Sequence, residues 1–319
     1  MPRLLEGMQE SGGGTIVFAR RTRRMESLWF KILYQAFRLF HRIFVGHRVE
    51  VGNFSVIPCA TYVRTWDGVI GLEIDGNYIA VPQNVLWWHE IVNFSAFSTP
   101  LAVTYCPLTG SGMVFDRTAV GGVEFGVSGL LFQNNLLLFD RSEEQSLWPY
   151  MMRGVRCGPR DGQMLDMVPS IKIRWEAWVA LHPETKVISI ASSLNRNYQL
   201  YPYGDYESLN NPRTLFPQGD LDDRRPPKER VLGIPFANGG GLAFPFESLD
   251  AGGDRAVVHA RAEGEYIVVC WDHDSKVAVA FQATLEGQPL DFDLVEGRHV
   301  DVQTGSEWTL DGRAISSGL

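Results

Sequence analysis

Residues 101–117 read LAVTYCPLTGSGMVFDR and residues 267–283 read IVVCWDHDSKVAVAFQA. At a constant offset of 166, Leu101 falls on Ile267, Val103 on Val269, Tyr105 on Trp271 and Phe115 on Phe281. Two further matches keep the same order. Upstream, VIGLEIDGNYIAVP (69–82) resembles VLGIPFANGGGLAFP (231–245); downstream, Ser146-Leu147-Trp148 resembles Ser306-Glu307-Trp308. Ordered matches of this kind predict an internal duplication. Each copy runs as short Val-, Ile- and Phe-rich segments broken by Gly, Asn or Asp, the pattern of antiparallel strands and turns. Val123, Phe125 and Val127 alternate with Glu124, Gly126 and Ser128, as on a half-buried strand. Asn134-Asn135 and Gly121-Gly122 read as hairpin turns. The expected fold is mainly β: two diverged antiparallel β-sandwich or open-barrel-like modules, a small helical insert and an N-terminal amphipathic helix.

The expected boundaries follow. Residues 1–48 form a basic arm, 49–160 the first β module, 161–230 an insert, and 231–319 a second, degenerate β module. Within the insert, Lys172–His182 reads as a helix carrying Trp175 and Trp178 and ended by Pro183. Val187–Ala191 reads as a strand. Residues 193–230 are rich in Pro, Asn and Asp and contain Tyr198, Tyr201, Tyr203 and Tyr206. So long an irregular segment is expected to wrap the first module, with its tyrosines as anchors.

At 319 residues with 45% hydrophobic and 21% charged side chains, the chain has the make-up of a packed protein. A net charge of −8 argues against a general nucleic-acid binder, which must neutralise phosphates. The charge is uneven: residues 1–48 carry +6, leaving −14 on the rest. Between Met25 and Val45, Lys31, Gln35, Arg38 and Arg42 form one polar stripe among Leu28, Trp29, Ile32, Leu33, Phe37, Phe40, Ile43 and Phe44. Cations inside this segment oppose both a spanning helix and a signal peptide. A membrane surface or a protein partner is the expected contact of residues 25–45, which would place the chain at the membrane periphery.

Cys59, Cys106, Cys157 and Cys270 lie far apart, with no Cys-x-x-Cys, so neither a zinc ribbon nor a disulfide framework is indicated. Cys106 is distinguished by its setting, after an apolar run and before Pro107 and the Thr109-Gly110-Ser111-Gly112 segment, whose N–H groups are candidates to stabilise a thiolate. His89 is the candidate base or ligand, with Glu90 or Asp116 to orient it. At the offset of 166, Asp272 replaces Cys106 and His259 replaces Asn93, while the Trp88-His89-Glu90 run has no counterpart. Polar residues that change while strand residues persist favour a site in the first module. Three arrangements stay open: a thiol nucleophile for acyl or related group transfer, a copper or zinc site on Cys106 and His89 with Met113 or Glu90 as a further ligand, and a buried cysteine without chemistry. In the repeated Phe-Asp-Arg tripeptides, Arg117 and Arg141 are the candidates for gripping a small anionic ligand, beside a polar lining of Ser128, Asn134 and Asn135. Structural ion pairs and turn chemistry account for the same residues.

Several runs resemble the family catalogued as domain of unknown function 3179, DUF3179. They are Trp88-His89-Glu90-Ile91-Val92-Asn93, Thr104-Tyr105-Cys106-Pro107-Leu108-Thr109-Gly110, Phe115-Asp116-Arg117 and Phe125-Gly126-Val127-Ser128-Gly129-Leu130, with Asp140-Arg141, Ser146-Leu147-Trp148, Gly158-Pro159, His182-Pro183 and Pro226-Pro227-Lys228. The resemblance spans about residues 65–312 and implies a mostly β fold in a bacterial or archaeal setting, often at the cell envelope. Many members of that family carry a second cysteine where this chain has Thr109.

Overall fold

The computed structural model describes residues 63–189, 196–216, 224–236 and 240–316, together with the backbone of 56–57. The basic arm and the expected helix at 25–45 lie outside the described residues. The chain is mainly β, with three short α-helices among the described residues and no sheet closed into a barrel. It falls into two compact units, one ending at Lys228 and the other beginning at Glu229.

The first unit holds β1 (Val56–Ile57), β2 (Gly68–Ile74), β3 (Asn77–Pro82), α1 (Gln83–His89), β4 (Ile91–Ala96), β5 (Thr99–Cys106) and β6 (Ser111–Asp116). It continues with β7 (Phe125–Phe132), β8 (Asn135–Asp140), β9 (Leu147–Pro149), β10 (Asp166–Val168), β11 (Ser170–Arg174), α2 (Trp175–Leu181) and β12 (Lys186–Ile188). Three sheets result, in the orders β1-β12-β3-β2-β11, β10-β6-β5-β4 and β7-β8-β9. All neighbours are antiparallel except β12 and β3.

The sheet containing β5 has both faces buried. Val92, Val103 and Tyr105 pack with Ile70, Ile79 and Val81 of the first sheet, while Ala102, Cys106 and Phe115 pack with Leu138 and Trp148 of the third. This explains the uninterrupted apolar run of β5: a strand covered on both faces has no solvent side to make polar. The period-2 alternation puts Tyr105 and Cys106 on opposite faces.

Residues 166–188 return to these sheets, β10 onto β6, β11 onto β2 and β12 onto β3, so the stretch expected as an insert completes the sheets of the first unit. Helix α2 starts at Trp175 rather than Lys172, because Ser170–Arg174 pair with β2 along their whole length. Gln133 and Asn134, both with positive φ, turn the β7–β8 hairpin, and Asn135 begins β8. Gly121-Gly122 follow a 3-10 turn at Thr118–Val120 instead of joining a hairpin. The alternation expected through Val127 breaks at a bulge between Val127 and Leu130, where Gly129 takes a φ of 74°.

The second unit holds β13 (Val231–Pro235), β14 (Gly241–Pro245), α3 (Phe246–Asp250), β15 (Arg255–Ala262), β16 (Glu265–Asp272) and β17 (Val277–Gln282). Short strands follow: β18 (Thr284–Leu285), β19 (Gln288–Pro289), β20 (Phe292–Val295), β21 (Arg298–Asp301), β22 (Glu307–Trp308) and β23 (Ala314–Ser316). Its order of hairpin, short helix and three-stranded meander is that of β2 to β6. The registers agree as well: Ile91 pairs with Thr104 and Val257 with Cys270, each 166 residues apart.

Side-chain roles recur too. Asn93 bonds the backbone of Phe125 through both amide atoms, and His259 Nε2 accepts the N–H of Phe292 at 2.9 Å. Phe125 meets Trp148 edge-on at 5.4 Å, and Phe292 meets Trp308 at 5.8 Å. Asp140 accepts the indole N–H of Trp148, and Asp301 that of Trp308, each at 2.8 Å.

One glycine pair separates the units. A Cβ on Gly71 would lie 2.5 Å from the buried Trp178 ring, whereas one on the matching Gly233 would meet nothing within 4 Å. Gly71→Ala is therefore expected to destabilise the first unit by about 1–3 kcal/mol through overpacking. Gly233→Ala should change stability by less than about 0.5 kcal/mol. Urea unfolding of the two variants checks this.

Candidate functional site

Helix α1 stops at Glu90, whose φ of 57° lies in the left-handed region. The Glu90 N–H donates to Leu86 O at 2.8 Å, while its carbonyl accepts the N–H of Tyr105 at 2.7 Å. Glu90 thus joins the helix to the β4–β5 ladder. Its side chain is largely enclosed, and burial pushes the carboxyl up to about 7.

Cys106 ends β5 and is 1% exposed, on the face that packs against the third sheet. The N–H groups of Thr109 and Gly110 donate to the carbonyl of Cys106, at 3.2 and 2.8 Å. The turn amides expected to stabilise a thiolate are therefore committed to the backbone. Beside the cysteine, Ser111 Oγ bonds Thr109 Oγ1 at 2.6 Å and the Tyr150 hydroxyl, and Asn135 Nδ2 reaches Ser111 Oγ at 3.4 Å. The phenol of Tyr150 is pushed up chiefly by burial.

Residues 196–216 supply the remaining groups. Burial raises the Tyr203 phenol to about 12, and Glu90 and then Cys106 push it in the same direction. Tyr203 therefore lies within electrostatic reach of both. Tyr201 is raised by burial and then by Glu207, Tyr105 and Tyr203, and its ring is 5.6 Å from that of Tyr203 and 4.9 Å from that of Trp87. The Tyr105 hydroxyl donates to Glu207 at 3.3 Å.

His89 ends α1 and is partly buried. Its Nε2 bonds the Tyr198 hydroxyl at 2.7 Å, and burial followed by the charge of Arg196 lowers its pKa. Among the described residues no group of three or more His, Cys, Asp or Glu is arranged to hold a metal ion.

The other expected site residues serve turns and strand ends. Asp116 accepts the N–H of Thr118 at 2.7 Å. Arg117, 3% exposed, donates to the carbonyls of Leu101 at 3.0 Å, Phe94 at 3.3 Å and Gly122. Its guanidinium is thereby engaged by the backbone instead of gripping an anion. Arg141 lies 5.6 Å over the Phe139 ring, and its N–H donates to Glu124 O. Ser128 donates to Leu137 O and accepts the N–H of Leu130, holding the bulge. Asn134 turns the hairpin, and Met113 lines the core that contains Cys106.

Around the end of β5, Ser111 pairs with Cys106 and bonds Thr109, Tyr150 and Asn135, Tyr201 lies by Trp87 and Tyr203, and Glu90 is joined to Tyr105 through the backbone. Tyr203 and Glu207 were missed from sequence because a tyrosine-rich loop carries no signal of which face it covers. The matching position of the second unit is closed by charge: Asp272, at the place of Cys106, pairs with Arg255 Nε at 2.9 Å. A cavity of about 660 Å³ lies in the second unit against Phe244, Leu249, Arg255, His259 and Phe292.

The family model of DUF3179, described as a protein of unknown function, matches residues 49–319. The chain belongs to the DUF3179 family. The match spans the described residues of both units. No curated protein and no solved structure matches the chain. No helix among the described residues is long and apolar enough to cross a membrane.

Proposed function

We propose that the chain is a thiol enzyme acting on a small polar ligand, with Cys106 as nucleophile and Glu90 as its proton acceptor. The observation that supports this is the backbone bond that sets Glu90 beside Tyr105, the neighbour of the buried Cys106, with both groups acting on the Tyr203 phenol. Cys106 is buried, and Glu90 and Tyr203 are partly buried. A carboxyl raised to about 7 is matched to proton transfer near neutral pH. In the proposed step the thiol proton passes to the Glu90 carboxylate, sulfur bonds to an electrophilic carbon of the ligand, and the leaving group takes the proton from Glu90. Tyr201, Tyr203, Thr109 and Asn135 offer hydrogen bonds for orienting the ligand. With Arg117 held by carbonyls, nothing observed favours an anion over a neutral polar molecule.

We also infer that the two units descend from one duplicated module, with the site kept in the first. The shared offset of 166 in both ladders and the paired roles of Asn93 with His259 and Asp140 with Asp301 support this. Roles that recur belong to the scaffold, and Cys106 and Glu90 are outside that set.

The second reading is a non-catalytic scaffold, favoured by the 1% exposure of Cys106. Iodoacetamide labelling of the folded protein, mapped by mass spectrometry, separates the two. The enzyme reading expects labelling of Cys106 that rises with pH through an inflection near 7, with Glu90→Gln removing that inflection and slowing the reaction at pH 7 about tenfold. Labelling of Cys106 only in urea-unfolded protein would leave the scaffold reading in its place.

A further inference from the structure

The ladder between β4 and β5 runs past its last counted pair. Ile91 lies opposite Thr104, and Tyr105 N–H still donates to Glu90 O at 2.7 Å. One more step sets position 89 opposite position 106. In the second unit that step is completed, where Arg255 pairs with Asp272 in β15–β16 and their side chains touch at 2.9 Å. These are the positions 166 residues beyond His89 and Cys106.

The helices account for the difference. Helix α3 ends at Asp250, five residues before Arg255, so β15 is free to begin at Arg255. Helix α1 runs to His89 itself, and the Glu90 N–H is drawn to Leu86 O. Keeping that bond puts Glu90 at a φ of 57°, which is strained for a residue with a Cβ. His89 leaves the ladder and its ring meets Tyr198 at 2.7 Å.

We propose that α1 gives up its last turn in a second state, in which Glu90 becomes extended, β4 lengthens to residue 89 and His89 faces Cys106 as a second proton acceptor for the thiol. On a strand the N–H and C=O of one residue point to the same side, so the Glu90 N–H would complete a pair with the Tyr105 carbonyl. The Glu90 helix-end bond is exchanged for a ladder bond and the left-handed φ is relieved, at the cost of the other bonds of that last turn. Positions 89 and 106 then form a non-hydrogen-bonded pair, with Cβ atoms about 4.5–5.5 Å apart. Tyr198 holds the histidine in the first state. This rests on Cys106 being the reactive thiol, but its test needs no activity.

A cross-strand pair at that spacing is within reach of a disulfide. In the full-length His89→Cys variant, mild oxidation with diamide is expected to join the introduced thiol to Cys106 in most molecules, located by peptide mass spectrometry. Backbone preference at residue 90 should set the rate. Glu90→Val, which favours extended backbone, should speed the crosslink, and Glu90→Gly, which accepts a positive φ, should slow it, with at least about fivefold between them. Equal rates in the two, or no link between the introduced thiol and Cys106 in folded protein, would overturn the proposal. On the native histidine, exchange between two states broadens the His89 ring resonances, and Cys106→Ala should sharpen them. A sharp resonance indifferent to Cys106→Ala overturns it equally. Labelling of Cys106 that tracks Glu90 but no crosslink would leave the thiol enzyme standing and remove only the second state.

Discussion

Asp140→Ala is expected to unfold the first unit under conditions in which Asp116→Ala leaves it folded, although both aspartates stand in the same Phe-Asp-Arg tripeptide. Asp140 is fully buried. Its carboxylate accepts the N–H of Ser142 at 3.3 Å, the N–H of Ser146 at 3.1 Å, the indole N–H of Trp148 at 2.8 Å and the Ser142 hydroxyl. Alanine leaves these donors without an acceptor in a place closed to water. Each stranded donor costs about 1–3 kcal/mol, so a loss of about 4 kcal/mol or more is expected, a large share of a domain's stability. Asp116 makes one bond, to Thr118 N–H, and Asp116→Ala should cost only about 1 kcal/mol. Calorimetry resolves the two cases. A separate test is Asp301→Ala, which removes the acceptor of Trp308 and Thr304 and should lower the transition of the second unit. Equal melting of Asp140→Ala and wild type would remove the claim that this carboxylate organises the β8–β9 turn.

The stability of the first unit is expected to fall as pH rises from about 4.5 to 7, and Glu90→Gln should abolish much of that fall. The Glu90 carboxyl is raised from 4.5 to about 7 by burial. The sign follows from proton counting: between these values the folded state binds a proton that the unfolded state has released, so raising the pH favours unfolding. Below about 4.5 both states are protonated and the penalty is absent; above about 7 it is complete, at most on the order of 3 kcal/mol. Glutamine is neutral throughout, so the variant should be as stable as wild type at pH 4.5 and more stable at pH 8. Urea midpoints measured across this range decide it, and parallel curves for the two proteins would show that Glu90 is not buried as described.

Strands were legible because each is long enough for its Val, Ile and Phe content to speak. β5 stood out as a continuous apolar run, and the observed ladders of both units keep the offset of 166 seen in sequence. Their sharing of sheets was not legible. Lys172–Arg174, the second half of β11, reads as the start of the helix that carries Trp175 and Trp178, and only pairing with β2 decides otherwise. At the site, the prominence of Cys106 and Glu90 came from their absence at matching positions of the second unit. The partner of His89 could not be read, because it depends on where a helix stops. Whether α1 keeps its last turn decides whether the ring faces Tyr198 or Cys106. Arg117 looked like a ligand-binding cation because sequence records the charge and not the three carbonyls around it.

The parallel pairing of β12 with β3 has a consequence for how the protein is made. Lys186 lies against Ile79 and Val187 against Ala80, so that edge of the first sheet is closed by residues synthesised more than a hundred positions later. Until they leave the ribosome, the β2–β3 hairpin presents bare backbone along one side, and the face carrying Ile70 and Ile79 waits for the strands that cover it. The nascent chain therefore carries an adhesive half-built layer through much of its translation. Pausing before residue 186 would prolong that exposure, while pausing after it would meet a sheet whose edge is already occupied.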